Sequence, residues 1–190
     1  MRRIRRTPRP LDILIFWFWV GFVLCLPPAG SAEVPSLERG NPAAHLFPGD
    51  LASEHWDLTA RFDSGHILVA EFIITNIGLG DRNAAAFGSV VGPGGEKRRF
   101  RNGRREGNWQ ISPDRLLIQV GKSRLDLHGP TYQLRVDKKH VKLDIKIQPN
   151  GPAAWSDVFS DSGFSIDVLA LSATARGNLW MKGMEEESML

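Results

Sequence analysis

From Glu54 onward the chain is written in a two-residue rhythm, and no helix-length stretch of period 3.6 interrupts it. That property confines the fold to sheets. The stretch His66–Phe87, HILVAEFIITNIGLGDRNAAAF, carries the most information. A long strand-like run breaks at Asn76-Ile77-Gly78-Leu79-Gly80-Asp81-Arg82-Asn83, and an apolar strand resumes straight after. No nucleophile, metal-ligand set or phosphate loop sits in it. It reads as the wall of a β-sheet container, which directs attention to ligand binding before catalysis.

Alternation is cleanest further on. Leu125 and Leu127 alternate with Arg124, Asp126 and His128. Tyr132, Leu134 and Val136 alternate with polar neighbours, as do Val141, Leu143, Ile145 and Ile147. Each such strand has one apolar and one solvated face, as antiparallel sheets do. Gly94-Gly95 and Asn102-Gly103 can supply the positive φ angles of tight hairpins, so both are expected at turns. Pro113-Asp114, Gly121-Lys122, Gly129-Pro130 and Asp137-Lys138-Lys139 punctuate the rest. The expected fold is all-β: an antiparallel meander of roughly ten strands, closed as a barrel or stacked as a sandwich.

The first residues follow another logic. Met1–Arg9 carries five arginines, Ile13–Leu26 is apolar, and Gly30 and Ala32 occupy the −3 and −1 positions of a cleavage site. Residues 1–32 are therefore expected to be a secretory signal, which makes the protein periplasmic or extracellular. Anchoring by an uncleaved N-terminal helix is the alternative, although the apolar run is short of the roughly 20 residues a spanning helix needs. Five of the 24 basic residues and one of the 21 acidic ones leave with this segment, so the remainder is close to neutral. Nothing then calls for a nucleic-acid partner. Cys25, the single cysteine, departs as well, and an exported domain without disulfides must be held by its core. Residues 33–53 are loop-like, 54–183 form the β domain, and 184–190 read as a disordered tail.

The five histidines make no zinc spacing and no cofactor motif is present, so neither metal nor cofactor is expected. Glu54 and Glu71 are the candidate acids: Glu71 lies in an apolar strand, where a cavity would raise its pKa. The bland alternative is an outward or salt-bridged carboxylate. Lys97, Arg98, Arg99, Arg101, Arg104 and Arg105 crowd the Asn102-Gly103 pair, forming a basic tip that suits a membrane surface or is simply solvated. Trp56, Leu68, Phe72, Ile74, Phe87 and Trp109 are the side chains expected to line a hydrophobic ligand.

Ser53-Glu54-His55-Trp56 at a strand start, the Asn76–Asp81 turn, and Phe100-Arg101-Asn102-Gly103 with Gly107-Asn108-Trp109 together resemble the survival-factor (ceramide-binding) proteins. The carotenoid 1,2-hydratases and the fungal pericyclases of Diels–Alder type belong to the same broad fold as those proteins. The resemblance covers Glu54–Lys182 and implies a lipocalin-like barrel or strongly bent sheet. It implies a lipid, sphingolipid-like molecule or isoprenoid as ligand. Members have two lipocalin-like halves, and this chain resembles the first, Ala173–Gly183 being similar to the stretch that leads toward the second. In the hydratases the chemistry belongs to acidic, Tyr and His residues of the later half. A binding module is therefore the leading expectation. A hydratase or cyclase acting on an isoprenoid or polyketide ligand through Glu54 or Glu71, or a truncated fragment without activity of its own, are the alternatives.

Overall fold

Two antiparallel meanders account for most of the chain in the computed structural model, which describes residues 42–78, 80–151, 154–159, 164–170, 172–183 and 188–189. The expected signal at 1–32 and the first part of the loop-like segment lie outside the described residues. The first meander comprises β1 (Ser53–Arg61), β2 (Ile67–Thr75), β3 (Asn83–Val91) and β4 (Lys97–Arg104), in that spatial order. The second sheet takes β5 (Gln110–Ile111), β6 (Leu117–Val120), β7 (Ser123–Asp126), β8 (Tyr132–Lys138) and β9 (Val141–Pro149). After a hairpin of β10 (Ala154–Phe159) and β11 (Phe164–Val168), β12 (Ala173–Met181) pairs back onto β9. β13 (Ser188–Met189) pairs with β12, giving the order β13-β12-β9-β8-β7-β6-β5. Two residues of the stretch read as a disordered tail are thus paired, and 184–187 and Leu190 lie outside the described residues.

The alternation holds where it was cleanest. Tyr132, Leu134 and Val136 are buried, as are Val141, Leu143, Ile145 and Ile147. On β2 the buried set is Leu68, Ala70, Phe72 and Ile74. These residues join Phe100, Ile118 and Leu179 in one hydrophobic cluster shared by both sheets. Each large apolar side chain so placed contributes about 1.5–3 kcal/mol relative to exposure. Packing is tight enough to demand one particular glycine: a Cβ on Gly88 would stand 2.2 Å from the Val69 carbonyl oxygen and 2.6 Å from the Phe100 ring. Every regular element among the described residues is a strand. Among the described residues no ladder joins the two sheets into a closed barrel, so of the two expected forms the open, bent one is observed.

Asn102-Gly103 is not a hairpin tip. The β3–β4 turn is Gly92–Glu96, closed by the Gly92 N–H on the Glu96 carbonyl, and pairing runs unbroken from Val91↔Lys97 to Ala84↔Arg104. The Asn102 amide is instead buried and tied to the second sheet: it donates to Ser123 Oγ at 2.7 Å and accepts from Lys138 Nζ at 2.5 Å. Two further bonds dock the same edge: Arg98 donates to the Lys182 carbonyl, and His140 to the Arg99 carbonyl. An Asn-Gly pair signals a turn only when its backbone is free to reverse, and here tertiary pairing outweighs that local preference.

Candidate functional site

The residues behind the family resemblance are joined to one another. Glu54 accepts the backbone N–H groups of His45 at 2.7 Å and Phe47 at 3.2 Å, with its carboxylate only 10% exposed. Asn76 donates to the Gly49 carbonyl and accepts the Arg82 N–H, while the Trp109 indole donates to the Arg82 carbonyl at 2.8 Å. Trp56 donates to the Pro42 carbonyl. Ala44, buried, donates its N–H to the Arg115 carbonyl of the β5–β6 turn. Segment 42–52 is thereby pinned to the first sheet by Glu54 and Asn76 and to the second by Arg115. These contacts hold backbone in place; the Ala44 N–H is the buried one, and a buried N–H without an acceptor costs about 1–3 kcal/mol.

The six expected ligand-lining residues separate. Leu68, Phe72 and Ile74 are buried in the core, and Trp56 and Trp109 pack partly buried against it. Phe87 alone stands on the other face of the first sheet, because it pairs with Glu71 and Arg101, whose parity is opposite.

That outer face is unusual. An antiparallel sheet with one buried face ordinarily presents polar residues on the other. Here β2 is apolar on both: Ile67 and Val69 lie outside at 40% and 47% exposure, with Ile73 half-buried beside them. Register extends the stripe to Phe87 and Val91 on β3 and borders it with Lys97, Arg99 and Arg101 on β4. Of the arginines expected to form a basic tip, Arg99 and Arg101 thus point along this face, while Arg98 and Arg104 have the parity of the docked side. At the end of the same sheet lies an open groove of about 350 Å³ lined by Thr75, Asn83, Ala84, Ala85, Gly103, Arg104 and Arg105.

Along the β1 border runs a hydrogen-bonded chain. Ser53 Oγ is 2.7 Å from His55 Nε2, and His55 Nδ1 is 2.9 Å from Glu71 Oε1. Strand geometry explains it: Ser53 and His55 are two apart and share a face, and Glu71 sits on the neighbouring strand opposite Asp57. Glu71 is 27% exposed and committed to His55, and Glu54 is committed to the 42–52 segment. Neither projects into an enclosed apolar space, which is what protonation of an alkene requires.

A second polar chain braces the β5–β6 turn. His128 bonds Asp126 through Nδ1 at 2.6 Å and Asp114 through Nε2 at 2.8 Å. Hydrogen bonds from Ser112 and His128 hold Asp114 down at about 2, and the bonds to Asp126 and Asp114 push His128 upward. Among the described residues no three histidine, aspartate or glutamate side chains are grouped to hold a metal ion.

No family model matches the chain, and no curated protein does. Among solved structures it is similar to a Nitrosomonas europaea protein provisionally designated AttH, with a TM-score of 0.55 and 16% identity. The likeness covers 81% of this chain and 53% of the other, so the chain spans about half the length of that structure. At this identity the likeness speaks for the fold alone: a β-rich, lipocalin-like fold.

Proposed function

We propose that this protein is an exported lipocalin-like module that binds a hydrophobic small molecule, a lipid, sphingolipid-like compound or isoprenoid with a polar or anionic end. The observation that carries the reading is the two-faced apolar character of β2, whose outer residues Ile67 and Val69 stay open on the same sheet face as the cations of β4, one strand beyond β3. The inner residues Leu68, Phe72 and Ile74 are fully engaged in the core, so the apolar part of the ligand lies against Ile67, Val69 and Phe87. Covering that surface is worth about 25 cal/mol for each Å² removed from water. Arg99 and Arg101 then meet the anionic end.

The test uses the delipidated full chain, titrated with oleate and with oleyl alcohol and read by native mass spectrometry. Oleate is expected to bind, with the alcohol weaker by about tenfold, the worth of one charge-assisted contact. Val69→Glu should abolish both, and Arg101→Glu should remove the preference for the anion. Absence of either complex, or indifference to Val69→Glu, would overturn the reading. The same cations would also attract an anionic bilayer. Sedimentation with phosphatidylglycerol against phosphatidylcholine vesicles separates a membrane-presented ligand from a free one.

A further inference from the structure

The Ser53–His55–Glu71 chain has the connectivity of a nucleophile, its base and the group that orients the base. We infer that it is an acyl-transfer relay and that the protein hydrolyses carboxylic esters at the groove beside it. The geometry is specific. Ser53 Oγ faces one ring nitrogen at 2.7 Å and Glu71 faces the other at 2.9 Å. With Glu71 accepting from Nδ1–H, the tautomer is fixed so that Nε2 carries the lone pair that takes the serine proton. His55 is 44% exposed on the side chain, so the base is open to substrate and water.

Placement supplies the rest. Ser53 is the register partner of Thr75, which is in turn the partner of Asn83, and Thr75 and Asn83 both line the groove. Directly opposed residues have Cβ atoms about 5 Å apart, so Ser53, which does not itself line the groove, stands next to its Thr75 edge. Thr75 Oγ1 accepts the Ile77 N–H at 3.0 Å, which leaves its own hydrogen to donate to the carbonyl oxygen as charge develops there. Arg105, which also lines the groove, offers a guanidinium to an acidic group of the substrate.

The reaction balances with water as the one co-reactant. Ser53 Oγ bonds to the ester carbonyl carbon while His55 Nε2 takes the serine proton. The ester C–O bond breaks, and the alcohol leaves with that proton. Water then adds to the acyl carbon, passing a proton to His55, and the Ser53 C–O bond breaks to release the acid as Ser53 recovers its hydrogen. Glu71 holds Nδ1 throughout.

The substrate class rests on the amphiphile reading: an ester whose apolar part lies on Val69 and Phe87. The experiment keeps the two apart. Full-length protein is treated with an alkyl fluorophosphonate and digested for peptide mass spectrometry. The expected result is a single adduct at Ser53, lost in Ser53→Ala and slowed roughly 10²-fold in Glu71→Gln, which leaves the His55 base without the group that orients it. Circular dichroism checks that each variant is folded. As an independent readout, Ser53→Cys is expected to react with iodoacetamide at pH 6, well below the ordinary thiol range of about 8.5, because His55 stabilises the thiolate. No adduct at Ser53, or labelling as fast in Glu71→Gln as in the parent, overturns the relay. Hydrolysis of p-nitrophenyl decanoate faster than the acetate supports the amphiphile reading. Equal rates sink that reading and leave the relay standing.

Discussion

Replacing Asn102 with alanine tests what couples the two sheets. Asn102 is 3% exposed and Ser123 is fully buried, so neither reaches bulk water. The substitution removes the donor to Ser123 Oγ and the acceptor of Lys138 Nζ, leaving a buried hydroxyl and an ammonium short of a partner. At about 1–3 kcal/mol for each buried group left unsatisfied, Asn102→Ala should cost about 3 kcal/mol. Ser123→Ala leaves one amide hydrogen of Asn102 unpaired and should cost about 1–2 kcal/mol. The double variant is then expected to fall short of the sum by about 1–2 kcal/mol, because both changes delete the same bond. Urea unfolding followed by tryptophan fluorescence gives the free energies, with an unchanged m-value certifying that the same surface is exposed. Additivity of the two substitutions within about 0.5 kcal/mol would refute a direct sheet-to-sheet bond. So would a cost below about 1 kcal/mol for Asn102→Ala.

Three further outcomes follow from the same structure and a fourth from the sequence. Gly88→Ala places a methyl 2.2 Å from the Val69 carbonyl oxygen, so thermal melts should show a destabilisation of about 1–3 kcal/mol, and an unchanged melt would contradict the packing. Glu54→Ala strips the acceptor from the His45 and Phe47 N–H groups, and hydrogen exchange of those two amides should accelerate before global unfolding. His128, whose folded pKa is raised, contributes stability that is complete below its reference value of 6.5 and fades as pH rises through the folded value. Asp114, lowered to about 2, gives the opposite limb, lost only as pH falls from 3.8 toward 2. The difference in melting temperature between the parent and His128→Asn should therefore be largest between those limits and shrink in alkali; a pH-independent difference would dismiss the clasp. Finally, N-terminal sequencing of the protein secreted by a bacterial host should begin at Glu33 if residues 1–32 are a cleaved signal.

How much of this was legible beforehand depends on the range of each interaction. The all-β class and the inward residues of β8 and β9 follow from alternation, since a two-residue period fixes which side chains share a face. The turns at Gly94-Gly95 and Gly121-Lys122 are equally local. Asn102-Gly103 misleads because the same dipeptide suits a hairpin, and only pairing with Ala86 and Ala85 plus the buried bond to Ser123 keeps it in a strand. The candidate site divides in the same manner. Glu54 and Glu71 stand out as carboxylates in strands, yet their partners, the His45 and Phe47 amides and the His55 ring, are set by loop path and register.

The amino-acid sequence by itself determined the all-β class, the two faces of its cleanest strands and the apolar character of β2. Those are consequences of side-chain period and composition, which need no knowledge of neighbours. Residues 97–104 of the basic run, expected at a hairpin tip, are placed in a strand only by their pairing with β3. The tertiary structure decided which face of β2 is buried, which arginines share its open side, and that Ser53, His55 and Glu71 form one chain beside a groove. The physical reason is register: a slip of one residue between β1 and β2 would send Glu71 to the opposite face from its histidine, and no local preference in either strand specifies that alignment.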